Sequence, residues 1–302
     1  MANYSIKDLE NFTGIKAHTI RMWEKRYNIV TPKRTCTNIR FYDDDDLKKL
    51  LNVSVLNRHG VKISNIVTFS DESASEKILN YSQSKNDTET QVEGLVLAMI
   101  DLDEMKFEKI FNTAVINLGF EEAILKLMYP FFEKIGILWQ IGSINPAQEH
   151  FISNMLRQKL IAATDGIIQK ANSRSRSFVL FLPEGVYHEL GLLFLQYILK
   201  KNQHKVFYLG ESVPVEGLIE VARAKNVNYF VLSLISSITK PEIIRYLQIL
   251  ADQFPNHTIF LTGSGIRNIE FQIPKNIRPI ESIDKFKKEL DQIAITVLGD
   301  AY

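Results

Sequence analysis

The sequence predicts a chain of the α plus α/β class. It has an N-terminal winged helix-turn-helix, a helical bundle, and a C-terminal doubly wound parallel sheet of Rossmann-like form. Three observations predict it. Residues 1–70 hold two short apolar-periodic segments joined at a glycine, followed by a short basic stretch suited to a hairpin. From Thr90 to about Lys170 apolar residues recur at three- and four-residue intervals. Beyond residue 177, short apolar runs alternate with helix-periodic ones. The expected boundaries are 1–72 for the winged helix, 73–89 for a linker, 90–172 for the bundle and 175–302 for the α/β domain.

Composition sets the outer limits. The 302 residues leave room for two or three domains, and 45% apolar with 24% charged content is ordinary for a protein that buries real cores. The net charge of +1 says little, but its distribution does. Residues 1–70 carry twelve Lys and Arg against seven Asp and Glu, so the rest of the chain is mildly acidic. A basic module on an acidic body points to nucleic-acid contact through one end. The single cysteine, Cys36, excludes an intrachain disulfide and a Cys-rich metal site, and reads as a free thiol. Residues 1–20 lack the apolar core of a signal peptide. No stretch reaches the roughly 20 apolar residues of a membrane span. The expectation is a soluble, cytoplasmic protein with no membrane partner.

Ser5 caps a first helix whose apolar stripe is Ile6, Leu9 and Phe12, and Gly14 allows the turn that follows. In the second helix, Lys16 to Tyr27, Ile20 and Trp23 pack inward. That leaves Lys16, His18, Thr19, Arg21, Lys25 and Arg26 for DNA. Between Lys16 and Arg40 seven basic residues meet one acid, Glu24. Residues 32–42 are polar at the tip and basic at the flanks. They suit a two-stranded wing whose Lys33, Arg34 and Arg40 reach phosphates. Asp43 to Asp46 open a third helix, where carboxylates suit the helix dipole. Consecutive acids there diverge around the axis instead of converging on a cation. This segment, through Thr13-Gly14-Ile15, His18 to Glu24 and the wing, resembles the DNA-binding domain of MerR-family transcription regulators. The resemblance implies a second helix in the major groove of a double-stranded DNA operator, with repeated half-sites bound by an oligomer.

Familiar members of that family dimerise through a long coiled coil. Here residues 70–75 and 81–88 are polar and read as a linker around at most one short helix. Assembly as a homo-dimer or tetramer therefore falls to the C-terminal body. The bundle that begins at Thr90 has four amphipathic helices with short joints. Its one unusual corner runs from Trp139 to His150. Asn145 reads as an N-cap, with Pro146 first and Gln148 third in the helix. Glu149 and His150 then fall in its first turn.

In the α/β region, strands are expected at 178–182, 206–209, 229–235 and 258–262, with helices at 188–201, 214–225, 240–253 and about 282–298. His188 lies where the first strand turns into a helix, and ligands of open α/β sheets bind at the carboxyl ends of strands. A lone histidine there is more often a hydrogen-bonding group than a ligand. His188-Glu189-Leu190 also lacks the second histidine of a zinc helix. Gly263-x-Gly265 is off the first strand-helix turn and lacks a third glycine, so it is no dinucleotide fingerprint.

Spacing decides the matter. His188-x-x-Gly191 is followed by 41 residues, then Ser233-Leu234-Ile235, then 27 residues, then Gly263-Ser264. That order resembles the Asp-x-His-x-x-Gly, Ser-x-Leu and Gly-Gly pattern of cobalamin-binding domains of the methionine synthase type. Together with the N-terminal segment and Trp139, Glu149 and His150, it resembles the CarH/LitR type of light-responsive, B12-dependent repressor across nearly the whole chain. The resemblance implies His188 as lower axial ligand of the cobalt, with the nucleotide tail beside Gly191, Ser233, Gly263 and Ser264. It implies Trp139 and Glu149 over the upper face, and His150 on cobalt after light breaks the upper bond. Adenosylcobalamin is the implied cofactor, with methylcobalamin the alternative. Three positions depart from the pattern: Val186 replaces the carboxylate two residues before His188, Ile235 replaces Leu, and Ser264 replaces the second glycine. Glu184 and Glu189 are the carboxylates near enough in sequence to replace the first. The expected function is a transcription regulator, not an enzyme, that represses through a cobalamin-dependent oligomer. The runner-up is the same architecture acting without cobalamin through a protein antagonist. The third reading is a cobalamin-using mutase or methyltransferase subunit, for which the chain offers no separate catalytic domain.

Overall fold

The computed structural model describes residues 4–35, 37–82, 87–140, 145–170, 175–234, 239–263 and 271–299. Cys36, Ile235, Ser264 and Gly265 lie outside them, as does the side chain of Trp139. The chain divides into two compact units, Met1–Ser153 and Asn154–Tyr302.

In the first unit, α1 (Ile6–Thr13) opens with a reciprocal cap: Ser5 Oγ accepts the Asp8 N–H, and the Asp8 carboxylate accepts the Ser5 N–H. Gly14 ends it at φ 68°, a left-handed conformation that costs glycine little. The next helix, α2 (Ala17–Tyr27), buries Ile20 and Trp23. The wing is β1 (Lys33–Arg34) paired antiparallel with β2 (Arg40–Phe41). Asp43 caps α3 (Asp44–Arg58) by accepting the N–H groups of Asp45 and Asp46. The four acids have separate tasks. Asp43 also takes Lys33, Asp44 accepts the Tyr4 hydroxyl, Asp45 pairs with Lys48, and Asp46 completes the cap. Among the described residues no three of His, Cys, Asp and Glu are placed to hold an ion.

After α4 (Ile63–Ile66), residues expected in a linker with at most one short helix form α5 (Asp71–Ser82), a 12-residue helix. It is ordered because Ala74 and Ile78, four apart on one face, are buried. Then come α6 (Thr88–Asp101), α7 (Glu104–Leu118), α8 (Phe120–Ala123), a π turn (Ile124–Met128), α9 (Tyr129–Gln140) and α10 (Pro146–Asp165). The unit boundary falls within α10. Gly94 on α6 sets the closest approach to α7, since a Cβ there would lie 2.7 Å from Ile110 Cδ1. One expected cap is different. Asn145 Oδ1 accepts the Ala147 N–H, but the Gln148 side chain is buried and donates to the Ile100 carbonyl instead of capping.

The second unit is an open sheet. Its elements are β3 (Ser177–Pro183), α11 (Leu190–Lys201), β4 (Lys205–Val213), α12 (Val215–Ala224), β5 (Tyr229–Ser233), α13 (Lys240–Gln253), β6 (Thr258–Thr262), β7 (Ile277–Pro279) and α14 (Ile283–Gly299). The strand order is β4-β3-β5-β6-β7 and every pairing is parallel. All seven residues of β3 are buried, as a central strand covered on both faces requires. β4 runs past its expected end through an irregularity at Leu209, and β7 was not foreseen. The order reverses between β3 and β5, and that switch point is where an open sheet of this order leaves a crevice.

Among the described residues, no helix is long and apolar enough to cross a membrane.

Candidate nucleic-acid interface and candidate cofactor site

On α2 and the wing, the residues predicted for DNA divide by what already holds them. Lys16 pairs with Glu10 at 2.9 Å, Lys33 with Asp43 at 2.7 Å, and Arg34 donates to the Asn38 side chain at 2.8 Å. Arg40 lies 3.7 Å from Glu24, and Arg26 stacks over Tyr27. Thr19 is half-buried, whereas His18, Arg21 and Lys25 are exposed. These three recur at intervals of three and four, so they share one helix face, opposite Ile20 and Trp23. Arg21 and Lys25 make no ion pair among the described residues. With Arg40 they line a cleft of about 460 Å³ that includes Glu24, Asn28, Thr31 and Pro32. Three cations against one carboxylate suit a phosphate backbone. Asn28 and Thr31 were not anticipated, although Asn28 carries a signal: it ends α2 at φ 50°.

At the carboxyl edge of the sheet, His188 follows β3, Ser233 ends β5 and Gly263 follows β6. Three adjacent strands therefore bring three of the predicted residues to one edge, with His188 and Ser233 flanking the switch point. His188 is exposed and has no hydrogen-bond partner among the described residues. Its loop is pinned: Gly185 N–H donates to Ser212 Oγ at 3.0 Å, and Ser212 N–H donates to the Val186 carbonyl at 3.1 Å. Val186 itself is buried and offers His188 no oxygen.

Glu189 does not replace the missing carboxylate, because both its oxygens are occupied. The Tyr208 hydroxyl donates to Oε2 at 2.6 Å, and Arg157 lies 2.5 Å from Oε1. Burial, then the hydrogen bond to Glu189, pushes the Tyr208 phenol far up, so it stays a donor. Glu184 is exposed and is not hydrogen-bonded to His188. Arg157 and Tyr208 escaped sequence reasoning, since both are distant in the chain from the residue they hold.

The two glycines of the pattern differ. A Cβ on Gly191 would meet nothing within 4 Å. Gly263 has φ +104°, and a Cβ there would fall 2.0 Å from the Leu234 carbonyl oxygen. Strand contact alone thus demands glycine at Gly263.

In the first unit, Glu149 accepts a hydrogen bond from Ser153 and lies 3.1 Å from His150 Nδ1. His150 is exposed. Trp139 is near the end of α9, its side chain outside the description.

Residues 4–72 match the MerR HTH family regulatory proteins, and residues 91–163 match a B12 binding domain. The two matches give the chain a MerR-type helix-turn-helix and a B12-binding domain, the build of a transcription regulator. It is 27% identical to the HTH-type transcriptional repressor CarH of Myxococcus xanthus, over 78% of the chain and 79% of that protein. It is 24% identical to the repressor CarA of the same organism, over 70% of each. Among solved structures, the monomethylamine corrinoid protein of Methanosarcina barkeri aligns at 16% identity and a TM-score of 0.43, covering 72% of this chain and 96% of that chain. Both of these curated relatives are transcriptional repressors.

Proposed function

We propose that this regulator is a cytoplasmic repressor whose assembly and operator binding are set by adenosylcobalamin and released by light. The observation that carries the reading is His188, an exposed imidazole with no hydrogen-bond partner among the described residues, beside the switch point of the sheet. A single free imidazole fits a metal that arrives inside a macrocycle, since imidazole suits such metals and the macrocycle supplies the other donors. When bound, the cobalamin supplies a cobalt centre with a light-breakable upper bond. In this reading His188 ligates the cobalt, and Gly191, Ser233, Gly263 and Ser264 border the nucleotide tail. Trp139, Glu149 and His150 belong to the upper side. The likeness to the repressor CarH over most of the chain supports repression, and a homo-oligomer is part of the same reading. A ligand that binds one assembly state better shifts the population toward it.

The test is an absorbance spectrum after mixing with adenosylcobalamin in the dark and desalting, repeated after green light. The wild type is expected to keep a cobalamin spectrum that light changes, and His188→Ala to lose it, with affinity at least tenfold weaker. A colourless wild type would sink the reading. Buried Val186, in place of a carboxylate, favours a second reading: a regulator of the same architecture controlled by a protein antagonist without cobalamin. Equal operator affinity with and without cofactor would select it.

DNA binding carries its own prediction. Each phosphate neutralised contributes about 0.9 to the slope of log affinity against log salt. Arg21→Ala and Lys25→Ala are each expected to lower the slope by about that amount and to weaken all sequences alike. Lys33→Ala should do less, because Lys33 is already paired with Asp43. Titrations of an operator duplex at several salt concentrations check this, and an unchanged slope in both α2 variants would remove these residues from the interface.

A further inference from the structure

We propose that Glu189 is the positioning residue for His188: held by Tyr208 and Arg157, it fixes the loop between β3 and α11 so that the imidazole is presented to a cobalamin. The proposal rests on the cobalamin reading above.

A ligating histidine is ordinarily oriented by a partner on its second nitrogen. His188 has none among the described residues, and Val186 has no group to give. Among the described residues the imidazole is placed by its backbone, and the loop is built for that. One end is held by the two Ser212 hydrogen bonds, with Val186 buried beneath. The other end is Glu189, only 6% exposed, although it adjoins an exposed histidine. A buried carboxylate is costly unless its oxygens are satisfied, and here each oxygen has its own donor. The Glu189 carbonyl also accepts the Leu193 N–H at 2.9 Å, which ties the anchor to the first turn of α11.

The partners are shaped for the task. Leu180 pairs with Tyr208 and Phe181 with Gly210, so Leu209 is the extra residue of a bulge. Bulges turn a strand and re-aim its side chains. Gly210 takes φ +77°, and a Cβ there would lie 3.3 Å from the Tyr208 ring and 3.6 Å from Glu189 Oε2. The glycine leaves room for the phenol to reach the carboxylate. Arg157 comes from the part of α10 that lies in the second unit, so the restraint on the His188 loop extends beyond the sheet.

The experiment uses the full chain with adenosylcobalamin in the dark. It reads affinity, the melting temperature of the cofactor-free protein, and, after conversion to Co(II), the axial-nitrogen coupling in the electron paramagnetic resonance spectrum of protein labelled with 15N-histidine, which separates the imidazole from the cofactor's own base. Glu189→Gln keeps the shape and removes the charge. It is expected to bind at least tenfold more weakly, with the histidine-ligated fraction below half. Arg157→Ala should do the same and Arg157→Lys should recover part of it. A merely structural role would change the melting temperature but leave the nitrogen coupling of the bound fraction intact. Should Glu189→Gln fail to fold, Tyr208→Phe removes one hydroxyl only, and it is expected to weaken binding several-fold with a mixed nitrogen signal. Wild-type affinity and full nitrogen coupling in Glu189→Gln, or in Tyr208→Phe where the first does not fold, overturn this proposal alone. A wild type that binds no cobalamin, or binds it without nitrogen coupling, overturns the reading beneath it.

Discussion

Gly263→Ala is expected to melt the α/β unit roughly 10 °C or more below the wild type in the absence of any cofactor, at about 2–4 °C per kcal/mol for a domain of this size. Two effects act at one atom. The backbone at Gly263 has φ +104°, where a side chain is strained, and the new Cβ would lie 2.0 Å from the Leu234 carbonyl oxygen. That carbonyl cannot simply retreat, because the Leu234 N–H donates to Thr262 at 2.8 Å and holds the end of β5 beside β6. Strain, overpacking and a weakened buried hydrogen bond together come to roughly 3–6 kcal/mol, a large share of the ~5–15 kcal/mol of a typical domain. Gly191→Ala is the control. It lies in the same spacing pattern, yet a Cβ there meets nothing and the helix gains about 0.5–1 kcal/mol from alanine. Its cofactor-free melting temperature should hold or rise, and any loss should appear only in cobalamin retention. Thermal melts of the two variants decide the point; equal melting temperatures would mean that Gly263 is not a packing requirement.

The same contrast shows which features a sequence exposes. Ser5 with Asp8, Gly14 and Asp43 are local signals, so the starts of α1 and α3 and the turn between α1 and α2 were legible. The candidate site was legible because each parallel strand delivers its carboxyl end to one edge, and spacing along the chain becomes adjacency in space. The rest depended on partners far away in sequence. Two buried apolar residues, Ala74 and Ile78, make a helix of a polar stretch only because other helices cover them. The three residues of β7 are a strand only because β6 offers an edge. Gln148 fits the cap position by type, but a buried carbonyl on α6 is the acceptor for its amide. Glu189 was visible as a carboxylate near His188; its commitment to Tyr208 and Arg157 was not, since nothing local marks a lone strand tyrosine or an arginine on another helix.

Arg58→Ala is expected to destabilise the first unit by about 3–5 kcal/mol at neutral pH, the usual consequence of stranding one member of a buried ion pair. Glu93 on α6 is 1% exposed, and Arg58, the last residue of α3, is its closest partner. Lys134 on α9 stands 4.0 Å away and Arg58 also reaches Glu89 at 2.7 Å. Lys134 remains in the variant, which favours the lower end of the range. Burial is the largest influence on Glu93 and raises its pKa above the ordinary 4.5, while Lys134 and Arg58 pull it down. A carboxyl raised on folding contributes stability that is fully present below its unfolded value and lost as pH rises through its folded value. Removing Arg58 lifts the folded value further, so the penalty of the variant should grow from acid toward neutral pH and shrink again on acidification. Glu93→Gln in the Arg58→Ala background removes the stranded charge and should recover most of the loss at neutral pH. Denaturant melts of the four proteins of this cycle at two pH values measure it. A penalty independent of pH, or a double variant as unstable as Arg58→Ala, would show that the arginine acts through packing instead. Because α3 belongs to the DNA-binding segment and α6 and α9 to the bundle, this carboxylate is one of the ties between them, beside Lys48–Asp101 and His59–Asp87.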